Sequence, residues 1–301
     1  MELQQLRYFL AVADNESISG AATDLGVTLS TVSQSVHALE RELEAILFHR
    51  VGRGMTLSSA GHALLGPARR IVRGAAEARD SVLPEPATGG RLDIAVPSAT
   101  VNSPLTDLLA ACFARFPEMT LHIRDLTDER ETTELLADGQ CEIVCTKLPF
   151  TRTPAQQAAA ARLATLEIGA YDLHVAFPPG APAVPADSVD LSSLPDLPMV
   201  LPRTGSGLYP DLEEELGQGQ RRMIVAAMVE QREARMAAMI AGAGATFVGD
   251  RTAHAAVAHG AAVRQVVPKF RQTVGLVYDP ARLSPAARAF VALAASPDWR
   301  P

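Results

Sequence analysis

The N-terminal residues follow the period of an α-helix. An amphipathic first helix is predicted by apolar side chains that recur every three or four positions: Leu3, Leu6, Leu10 and Ala13. Ser17 is a good N-cap for a second, short helix over 18–25, and Gly26 suits the left-handed residue that ends it. Thr28 is the next N-cap, and a third helix is predicted from the apolar face that follows: Val32, Val36, Leu39 and Leu43. Two helices joined by a short turn that contains glycine predict a helix-turn-helix arrangement.

A short hairpin and a long helix are predicted next. A pair of glycines flanks Arg53 and indicates a tight turn between two extended pieces, forming a wing that carries Arg50 and Arg53. A helix from 59 to about 82 then has apolar residues spaced as in the seam of a coiled coil: Leu64, Ala68, Ile71, Ala75, Ala78 and Val82. Pro67 predicts a kink and not an end, because the seam keeps its phase on both sides. We interpret the seam as a dimerisation surface; the alternative is a helix that packs on its own domain.

Strand and helix patterns alternate beyond a linker at 83–90 that contains two prolines and two glycines. The predicted strands are 92–96, 120–125, 141–146, 172–177, 199–201, 223–227, 245–248 and 273–278. The predicted helices are 104–115, 128–139, 208–216, 230–241, 252–258 and 285–295. This alternation predicts a parallel sheet with helices on its faces. Two α/β lobes are expected, and the cleft between them is the default ligand site.

Composition adds limits on the class of protein. A chain of 301 residues, 48% hydrophobic and 20% charged, predicts a globular protein of two or three domains. No run of eighteen apolar residues is present and the N-terminus lacks a basic region, so we expect neither a membrane span nor a signal peptide. Three cysteines fit a reducing cytoplasm better than a disulfide scaffold. We therefore expect a cytoplasmic protein.

The net charge of −7 at first disfavours a nucleic-acid partner. Residues 1–80 hold 8 arginines against 9 acidic residues, so the N-terminal part is not basic either. The predicted third helix has no Lys or Arg between Leu29 and Glu40. Any contact with DNA must therefore come from placed residues and not from a general basic field.

Several segments in order over residues 2–66 resemble the LysR-type transcriptional regulators: L-R-Y-F-L-A-V-A, S-I-S-G-A-A-T-D-L-G-V, T-V-S-Q-S-V-H-A-L-E and L-F-H-R-V-G-R-G-M-T-L-S-S-A-G. Downstream segments such as L-L-A-D-G-Q-C-E-I-V and I-A-G-A-G-A-T-F-V are similar to the effector domain of that family. The resemblance implies an all-α winged helix-turn-helix domain at 1–58 and a linker or dimerisation helix and hinge at 59–89. It also implies a two-lobed α/β effector domain at 90–301, similar to type 2 periplasmic binding proteins. Lobe I would span about 90–163 and 269–301, and lobe II about 164–268.

The polar face of the third helix is the candidate surface for reading DNA. The candidate residues are Thr28, Leu29, Ser30, Thr31, Ser33, Gln34 and His37. Arg50 and Arg53 of the wing are candidates for phosphate contacts, which position a protein while base contacts specify the sequence. The family often has Gln and Pro where this chain has Leu29 and Ser30, so the role carries over while the target sequence does not. The alternative is a plain surface helix, but Ser and Thr are poor choices for an exposed helix interior.

Polar residues at the starts of loops after strands are the candidates for effector binding. They are Ser98, Thr100, Asn102, Thr146, Arg203, Thr204 and Asp250. Arg203 beside hydroxyl groups would suit a carboxylate or another anion. The alternative is that these residues are ordinary caps and turns.

The cysteines allow a redox-responsive alternative, since some members of the family sense peroxide through cysteines. Cys141 and Cys145 in one strand would lie roughly 13 Å apart, beyond the limit of about 7 Å for a disulfide. Cys112 lies in an apolar helical run. We therefore interpret all three as core residues. An effector-independent regulator is a further alternative.

Enzymes and solute-binding proteins are the rival classes. The fingerprints G-x-S-x-G, H-E-x-x-H, Walker A and G-x-G-x-x-G are all absent, so we expect no enzyme, no cofactor and no metal. The N-terminal helix-turn-helix argues against a solute-binding protein as the function of the whole chain. The expected partners are double-stranded promoter DNA, a small-molecule effector, further copies of the chain in a homodimer or homotetramer, and RNA polymerase, with no membrane.

Overall fold

A computed structural model describes residues 1–52, 54–80, 82, 90–97, 104–126, 128–150, 160–181, 184, 187–190, 198–202, 224–229 and 231–299. The chain divides into two compact units. Unit 1 contains Met1–Ala87 together with Glu134–Gln140, and unit 2 contains Thr88–Thr133 and Cys141–Pro301.

The described part of Met1–Ala87 in unit 1 contains four helices and one hairpin. The helices are α1 (Leu3–Asn15), α2 (Ile18–Asp24), α3 (Leu29–Leu43) and α4 (Ser59–Asp80), and the strands are β1 (Phe48–Val51) and β2 (Gly54–Leu57). Ser17 and Thr28 are the N-caps of α2 and α3, and Gly26 has a φ of 64°, which confirms the predicted turn between them. The hairpin is antiparallel, as the predicted wing requires.

Four helices and the hairpin contribute to one apolar core in unit 1. Leu6 and Phe9 of α1, Val32 and Val36 of α3, and Phe48 of β1 are buried together there. The rings of Phe9 and Phe48 lie 5.3 Å apart in a tilted arrangement, so the hairpin packs directly on the first helix. Leu43, the last residue of the predicted apolar face of α3, stays 38% exposed.

The long helix α4 is continuous from Ser59 to Asp80 with Pro67 inside it, so the proline does not end it, as predicted. One face of α4 approaches the segment Glu134–Gln140 very closely. A Cβ atom added to Gly66 would lie 1.6 Å from the backbone oxygen of Asp138. Only glycine at position 66 therefore permits this approach.

Three arginines of α4 hold the same segment by its backbone. Arg69 donates from Nη1 to the carbonyl of Gln140 (3.1 Å), Arg70 to that of Ala137 (3.2 Å), and Arg73 to that of Gly139 (3.0 Å). These carbonyls lie at the C-terminal end of a helix, where they have no intrahelical partner and carry partial negative charge. The positive side chains of α4 therefore satisfy and stabilise that helix end.

Unit 2 alternates strands and helices. Its strands are β3 (Gly90–Val96), β4 (Met119–Asp125), β5 (Ile143–Leu148), β6 (Ala164–Phe177), β7 (Ser188–Asp190), β8 (Pro198–Leu201), β9 (Ile224–Met228), β10 (Thr246–Gly249), β11 (Ala262–Val267) and β12 (Arg271–Tyr278). The described helices are α5 (Leu105–Arg115), α6 (Thr132–Ala137), α7 (Arg232–Ile240), α8 (Asp250–Ala258) and α9 (Pro285–Ala295). The end of α6 belongs to unit 1. The predicted linker at 83–90 and the predicted helix at 208–216 lie almost wholly outside the described residues.

The sheet of unit 2 is mixed and not parallel. Its order is β4-β3-β5-β12-β6-β11-β7, and β10 pairs with β6. The strand β3 is parallel to β4 and β5, but β12 is antiparallel to β5 and β6, and β10 and β11 are antiparallel to β6. The prediction of a parallel sheet is wrong, because β12 lies between β5 and β6 and runs opposite to both, and antiparallel pairing needs no crossover helix.

Two of the apolar cores formed by the described residues lie along this sheet. The first contains Ile94, Leu108, Ile168 and Phe290, and the second contains residues such as Leu173, Phe177, Met199 and Phe247. Tyr171 packs against both cores. The strand β6 therefore passes from one core to the other, which fits the expected two-lobed architecture.

Candidate DNA interface and effector pocket

The helix α3 presents a neutral polar face to the surface. Its apolar residues Val32, Val36 and Leu39 are buried in unit 1. Six of the predicted DNA-binding residues are exposed, and the seventh, Ser33, is half-buried; the exposed ones are Thr28, Leu29, Ser30, Thr31, Gln34 and His37. Leu29 is 54% exposed, which is unusual for an apolar residue with a core nearby. The face is therefore accessible to a partner, as the proposed reading of base edges requires.

The first turn of α3 carries a cluster of hydroxyl groups. The Thr28 Oγ1 accepts a hydrogen bond from the Thr31 backbone N–H at 3.2 Å. It also lies 2.8 Å from the hydroxyls of Ser30 and Thr31. Such a cap stabilises a helix by about 1 kcal/mol. The same hydroxyls, with the partial positive charge of a helix N-terminus, form a surface suited to a phosphate oxygen.

Glu40 joins α3 to the wing, a contact that sequence reasoning missed. Its Oε1 accepts hydrogen bonds from the backbone N–H groups of Leu47 (2.8 Å) and Phe48 (3.4 Å), and its Oε2 lies 3.0 Å from His37 Nδ1. An acid at the end of an apolar stripe was the only sequence signal for this role. Glu40 fixes the start of β1 relative to the exposed face of α3.

The wing carries one described candidate for a phosphate contact. Arg50 lies in β1, opposite Met55, and is exposed. Arg53 lies outside the described residues. The Met55 backbone N–H donates to the carbonyl of Glu16 at 2.8 Å, so the hairpin is also tied to the turn between α1 and α2.

The predicted dimerisation seam on α4 is partly used within unit 1. Ala68 is completely buried in the core of its own unit, and Leu64 packs against that core. This corrects the prediction at Ala68, because its side chain has no surface left for a second chain. Ile71 and Val82 are 44% and 80% exposed, and Ala78 is exposed as well. The C-terminal half of the seam is thus open, and its role as a dimer surface stays a prediction.

Five predicted effector-binding residues lie outside the described residues: Ser98, Thr100, Asn102, Arg203 and Thr204. Thr146 lies in β5, is fully buried, and its hydroxyl has no hydrogen-bond partner among the described residues. A buried hydroxyl without a partner is costly and fits a site completed by another group.

Asp250 begins α8, so the predicted start of this helix at 252 is two residues too late. Its Oδ1 lies 2.7 Å from His174 Nε2, and its Oδ2 accepts from the backbone N–H of Asp172 at 3.1 Å. These bonds brace α8 against β6. Its contact with an effector stays a prediction.

Two arginines of α7, missed by sequence reasoning, line a small cavity beside the second core. Arg235 is 5% exposed, and Arg232 lies one turn earlier on the same helix. Burial, together with the charge of Arg232, lowers the pKa of Arg235 to about 10. A sequence signal existed, because Arg235 precedes the buried Met239 by four residues and so lies on the apolar face of α7.

All three cysteines are buried, and none of them forms a disulfide within the described part of the chain. Burial raises the pKa of Cys112 to about 11 and that of Cys145 to about 12. Because the thiolate is the reactive form, both thiols are unreactive near neutral pH. Cys141 precedes the strand, which begins at Ile143 and not at 141 as predicted. These properties oppose the redox-responsive alternative.

Neither a membrane span nor a metal site is found in the described part of the chain. None of its helices is long and apolar enough to cross a bilayer. Its His, Cys, Asp and Glu side chains form no group of three or more arranged to hold a metal ion.

Comparisons with known proteins agree with this arrangement. A family model described as "Bacterial regulatory helix-turn-helix protein, lysR family" matches residues 3–62, and one described as "LysR substrate binding domain" matches residues 87–296. The transcriptional regulator ClcR of Pseudomonas putida is 29% identical over 310 residues, which cover 97% of this chain and 98% of the relative.

Solved structures give the same result. The crystal structure of CbnR, a LysR family transcriptional regulator, is 26% identical with a TM-score of 0.57, over 98% of this chain and all of that one. Full-length CbnR in complex with its target DNA is 24% identical with a TM-score of 0.66, over 98% and 99% of the two chains. From its exposed third helix and wing, its two-core α/β unit and these matches, we conclude that the chain belongs to the LysR family of bacterial transcriptional regulators.

Proposed function

We propose that α3 reads base edges in the major groove of promoter DNA and that the wing contacts the phosphates beside it. The observation that carries this proposal is the division of α3 into a buried apolar stripe and an exposed neutral face. The Gln34 amide can form hydrogen bonds with the edge of an adenine. The hydroxyl groups of Ser30 and Thr31 can donate hydrogen bonds to base edges or accept them. Leu29 offers an apolar contact to a thymine methyl group.

Because that face carries no Lys or Arg, electrostatic attraction to the DNA phosphates must come from other elements. Phosphate contacts by cations supply affinity that does not depend on sequence, while neutral hydrogen-bonding groups supply discrimination. Arg50 on β1 is exposed and is joined to α3 through Glu40. We therefore assign the phosphate contact to the wing and the choice of sequence to the helix.

Unit 2 supplies the control by a small molecule. The family is one of transcriptional regulators with an effector-binding domain, and we assign no enzymatic activity to the chain. Support for a site near β5 comes from the buried Thr146 hydroxyl. The five undescribed candidates, Ser98, Thr100, Asn102, Arg203 and Thr204, complete the proposed effector set.

The functional form is proposed to be a homodimer or homotetramer in the cytoplasm, with RNA polymerase as a further partner at the promoter. The exposed Ile71 and Val82 of α4 support a contact between copies. Two copies of α3 related by a dimer axis would meet half-sites about one helical turn apart.

The test is salt-dependent binding of the full chain to the DNA upstream of its own gene. Affinity for this DNA and for random DNA of equal length is measured at several salt concentrations, with and without cell extract as a source of effector. We expect tighter binding to the upstream DNA at every salt concentration, since specific sites typically exceed random DNA by a factor of about 10³ or more. Equal affinity for both DNAs at the same salt would refute the proposal.

A further inference from the structure

The segment that connects α3 to the wing is held from both sides by polar groups. It contains Ile46 and Leu47, which lie between the end of α3 and the start of β1. On one side, the Glu40 carboxylate of α3 accepts hydrogen bonds from the backbone N–H groups of Leu47 at 2.8 Å and Phe48 at 3.4 Å. On the other side lies Ser58, the residue before α4. The segment therefore contacts residues of both helices.

Ser58 holds the segment with its backbone and its side chain. Its backbone N–H donates to the Leu47 carbonyl at 2.9 Å, and its hydroxyl donates to the Ile46 carbonyl. The same hydroxyl accepts from the Gly61 N–H at 3.0 Å, which is the bond that an N-cap residue makes to the first turn of its helix. Ser58 is buried. It therefore joins the segment directly to the start of α4.

Gly61 allows the first turn of α4 to lie against the same segment. A Cβ atom added to Gly61 would lie 2.2 Å from the Leu47 carbonyl oxygen, the atom that accepts from Ser58. A backbone oxygen held by a hydrogen bond cannot move away as a flexible side chain can, so this approach requires glycine. We define the α3–α4 junction as Glu40, Ile46, Leu47, Ser58 and Gly61.

The junction fixes an angle that the apolar core leaves less well defined. Val32 and Val36 of α3 are buried in the same core as Ala68 of α4, but the hydrophobic effect is non-directional. Hydrogen bonds weaken steeply when donor and acceptor are misaligned, and an ionised acceptor makes them stronger. The Glu40 side chain is only 16% exposed, so little water competes for its carboxylate. Its bonds are therefore suited to fixing the direction of α3 relative to α4.

A small change in that direction would be large on the scale of DNA. Half-sites one helical turn apart have centres about 34 Å apart, so each α3 of a dimer would lie roughly 17 Å from the dimer axis. A rotation of about 10° at this radius moves α3 by about 3 Å, close to the rise of about 3.4 Å per base pair. Such a rotation would place α3 one base pair away from its half-site.

We propose that Glu40 and Ser58 are positioning residues that set the spacing between the two DNA half-sites recognised by a dimer. They act through the angle between α3, which reads the sequence, and α4, which joins the copies. The inference rests on the proposed function, because it requires both of these roles.

A measurement without DNA tests whether the junction is held as described. Hydrogen exchange at the Leu47 and Phe48 amides of the full chain is compared in the wild type and Glu40→Ala, at a temperature where both are folded. We expect exchange at these amides to be faster by a factor of about ten in the variant, because a bond to an ionised acceptor is lost. Unchanged exchange would overturn the inference, whether or not the chain binds DNA.

The spacing itself is measured on DNA that contains the bound half-sites from upstream of the gene, separated by distances that differ in single base pairs. The wild type should prefer one spacing. In Glu40→Ala and Ser58→Ala, the affinity ratio between this spacing and one altered by two base pairs should fall by a factor of about five or more, since a misplaced helix loses contacts as at a mismatched base pair. Discrimination between intact and altered half-site sequences at the preferred spacing should stay unchanged.

Conservative and matched variants separate positioning from a general loss of stability. Glu40→Gln keeps an oxygen that can accept from the Leu47 and Phe48 amides, so it should keep the spacing preference of the wild type. Glu44→Ala removes the same charge from the exposed C-cap of α3 and is the matched control, which should also keep that preference. If Glu40→Ala does not fold, Ser58→Ala carries both measurements, with exchange followed at the Gly61 amide.

Two results on DNA would overturn the inference. One is a spacing preference in the folded variants equal to that of the wild type. The other is an equal loss of spacing preference and of half-site discrimination, which would leave the junction only a general role in stability. Equal affinity of the wild type for upstream and random DNA would refute the proposed function, and the role in spacing with it, even where hydrogen exchange shows that Glu40 holds the segment.

Discussion

At the scale of single residues, exposure separates the side chains of α3 that hold the fold from those available to DNA. Val32, Val36 and Leu39 are buried, while Gln34 and His37 on the opposite side are exposed. Exposed substitutions usually change stability by less than about 0.5 kcal/mol. Changes on the exposed face therefore test recognition without disturbing the fold.

Gln34→Ala should change which DNA sequences are preferred. Loss of a paired amide contact reduces discrimination at one base pair by about 1–3 kcal/mol. The measurement is selection of bound sequences from a random DNA pool, together with a thermal unfolding curve to show that the fold is retained. An unchanged sequence preference would remove Gln34 from the reading surface.

Arg50→Ala should weaken binding to all sequences alike. Because a phosphate contact releases counterions, its loss should reduce the salt slope of the binding constant by about 1. Affinity for the operator and for random DNA is measured from low to moderate salt. A loss confined to the operator would contradict a phosphate role and assign Arg50 to base contact.

At the scale of elements, α4 makes different contacts on its different faces. It packs apolar residues on the core of unit 1, holds the segment Glu134–Gln140 through three arginines, and leaves Ile71 exposed. The heptad pattern predicted only one such face. Polar contacts to backbone carbonyls have no period in the sequence, so the arginine contacts could not be predicted from it.

Two glycines of α4 provide a matched pair of substitutions. Gly66→Ala would place a methyl group 1.6 Å from the Asp138 backbone oxygen, whereas Gly74→Ala meets nothing within 4 Å. Gly66→Ala should destabilise unit 1 by about 1–3 kcal/mol, as overpacking does, and Gly74→Ala should stabilise α4 by up to about 1 kcal/mol.

Thermal unfolding compares these two variants with the wild type, and hydrogen exchange locates the change. The amides of Glu134–Gln140 should exchange faster in Gly66→Ala only. Equal stability and equal exchange in both variants would show that the segment does not need to approach α4 closely.

The sequence specified unit 1 more completely than unit 2. Caps, a glycine with positive φ and a 3.6-residue period all act over short distances, so α1 to α3 and the wing were predicted in order, and the bounds of α2 and α3 to within one residue. In unit 2 the strand β6 was predicted only from 172, because exposed Thr165 and Glu167 interrupt its apolar pattern. Strands β7 and β11 were not predicted, and the antiparallel pairings depend on contacts distant in sequence.

The DNA face and the cavity beside α7 show the same limit. The exposed face of α3 was predicted from the period of that helix, and its role in contacting DNA was predicted from its residue types. The cavity beside α7 joins residues from four elements, and its two arginines become neighbours of Tyr171 and Thr252 only through folding.

At the scale of the whole molecule, one ion pair joins the two halves of unit 2. Arg251 of α8 donates to the Asp107 carboxylate at 2.7 Å and to the Thr106 hydroxyl at 3.2 Å, both at the start of α5. The helix α5 packs on the first core and α8 on the second half of β6. The contact therefore holds two helices that belong to different cores.

Arg251→Ala should loosen this connection with little loss of stability. The pair is partly exposed, and such pairs contribute about 1 kcal/mol or less. We expect faster hydrogen exchange at the first turns of α5 and α8 and a melting temperature close to that of the wild type. Arg282→Ala, which removes a local pair with Asp279 at 3.3 Å, is the control and should leave exchange at α5 unchanged. Unchanged exchange at α5 and α8 in Arg251→Ala would show that the contact does not restrain the two cores.

The division of α3 into a buried stripe and an exposed face has an evolutionary consequence. The three residues that anchor the helix and those that face outward occupy separate positions, and the acid that ties the wing, Glu40, lies at neither. Point mutations at Leu29 or Gln34 can therefore accumulate with little change in the fraction of folded protein. After gene duplication, one copy can acquire a new set of target promoters while its protein keeps the same fold and the same response to a small molecule.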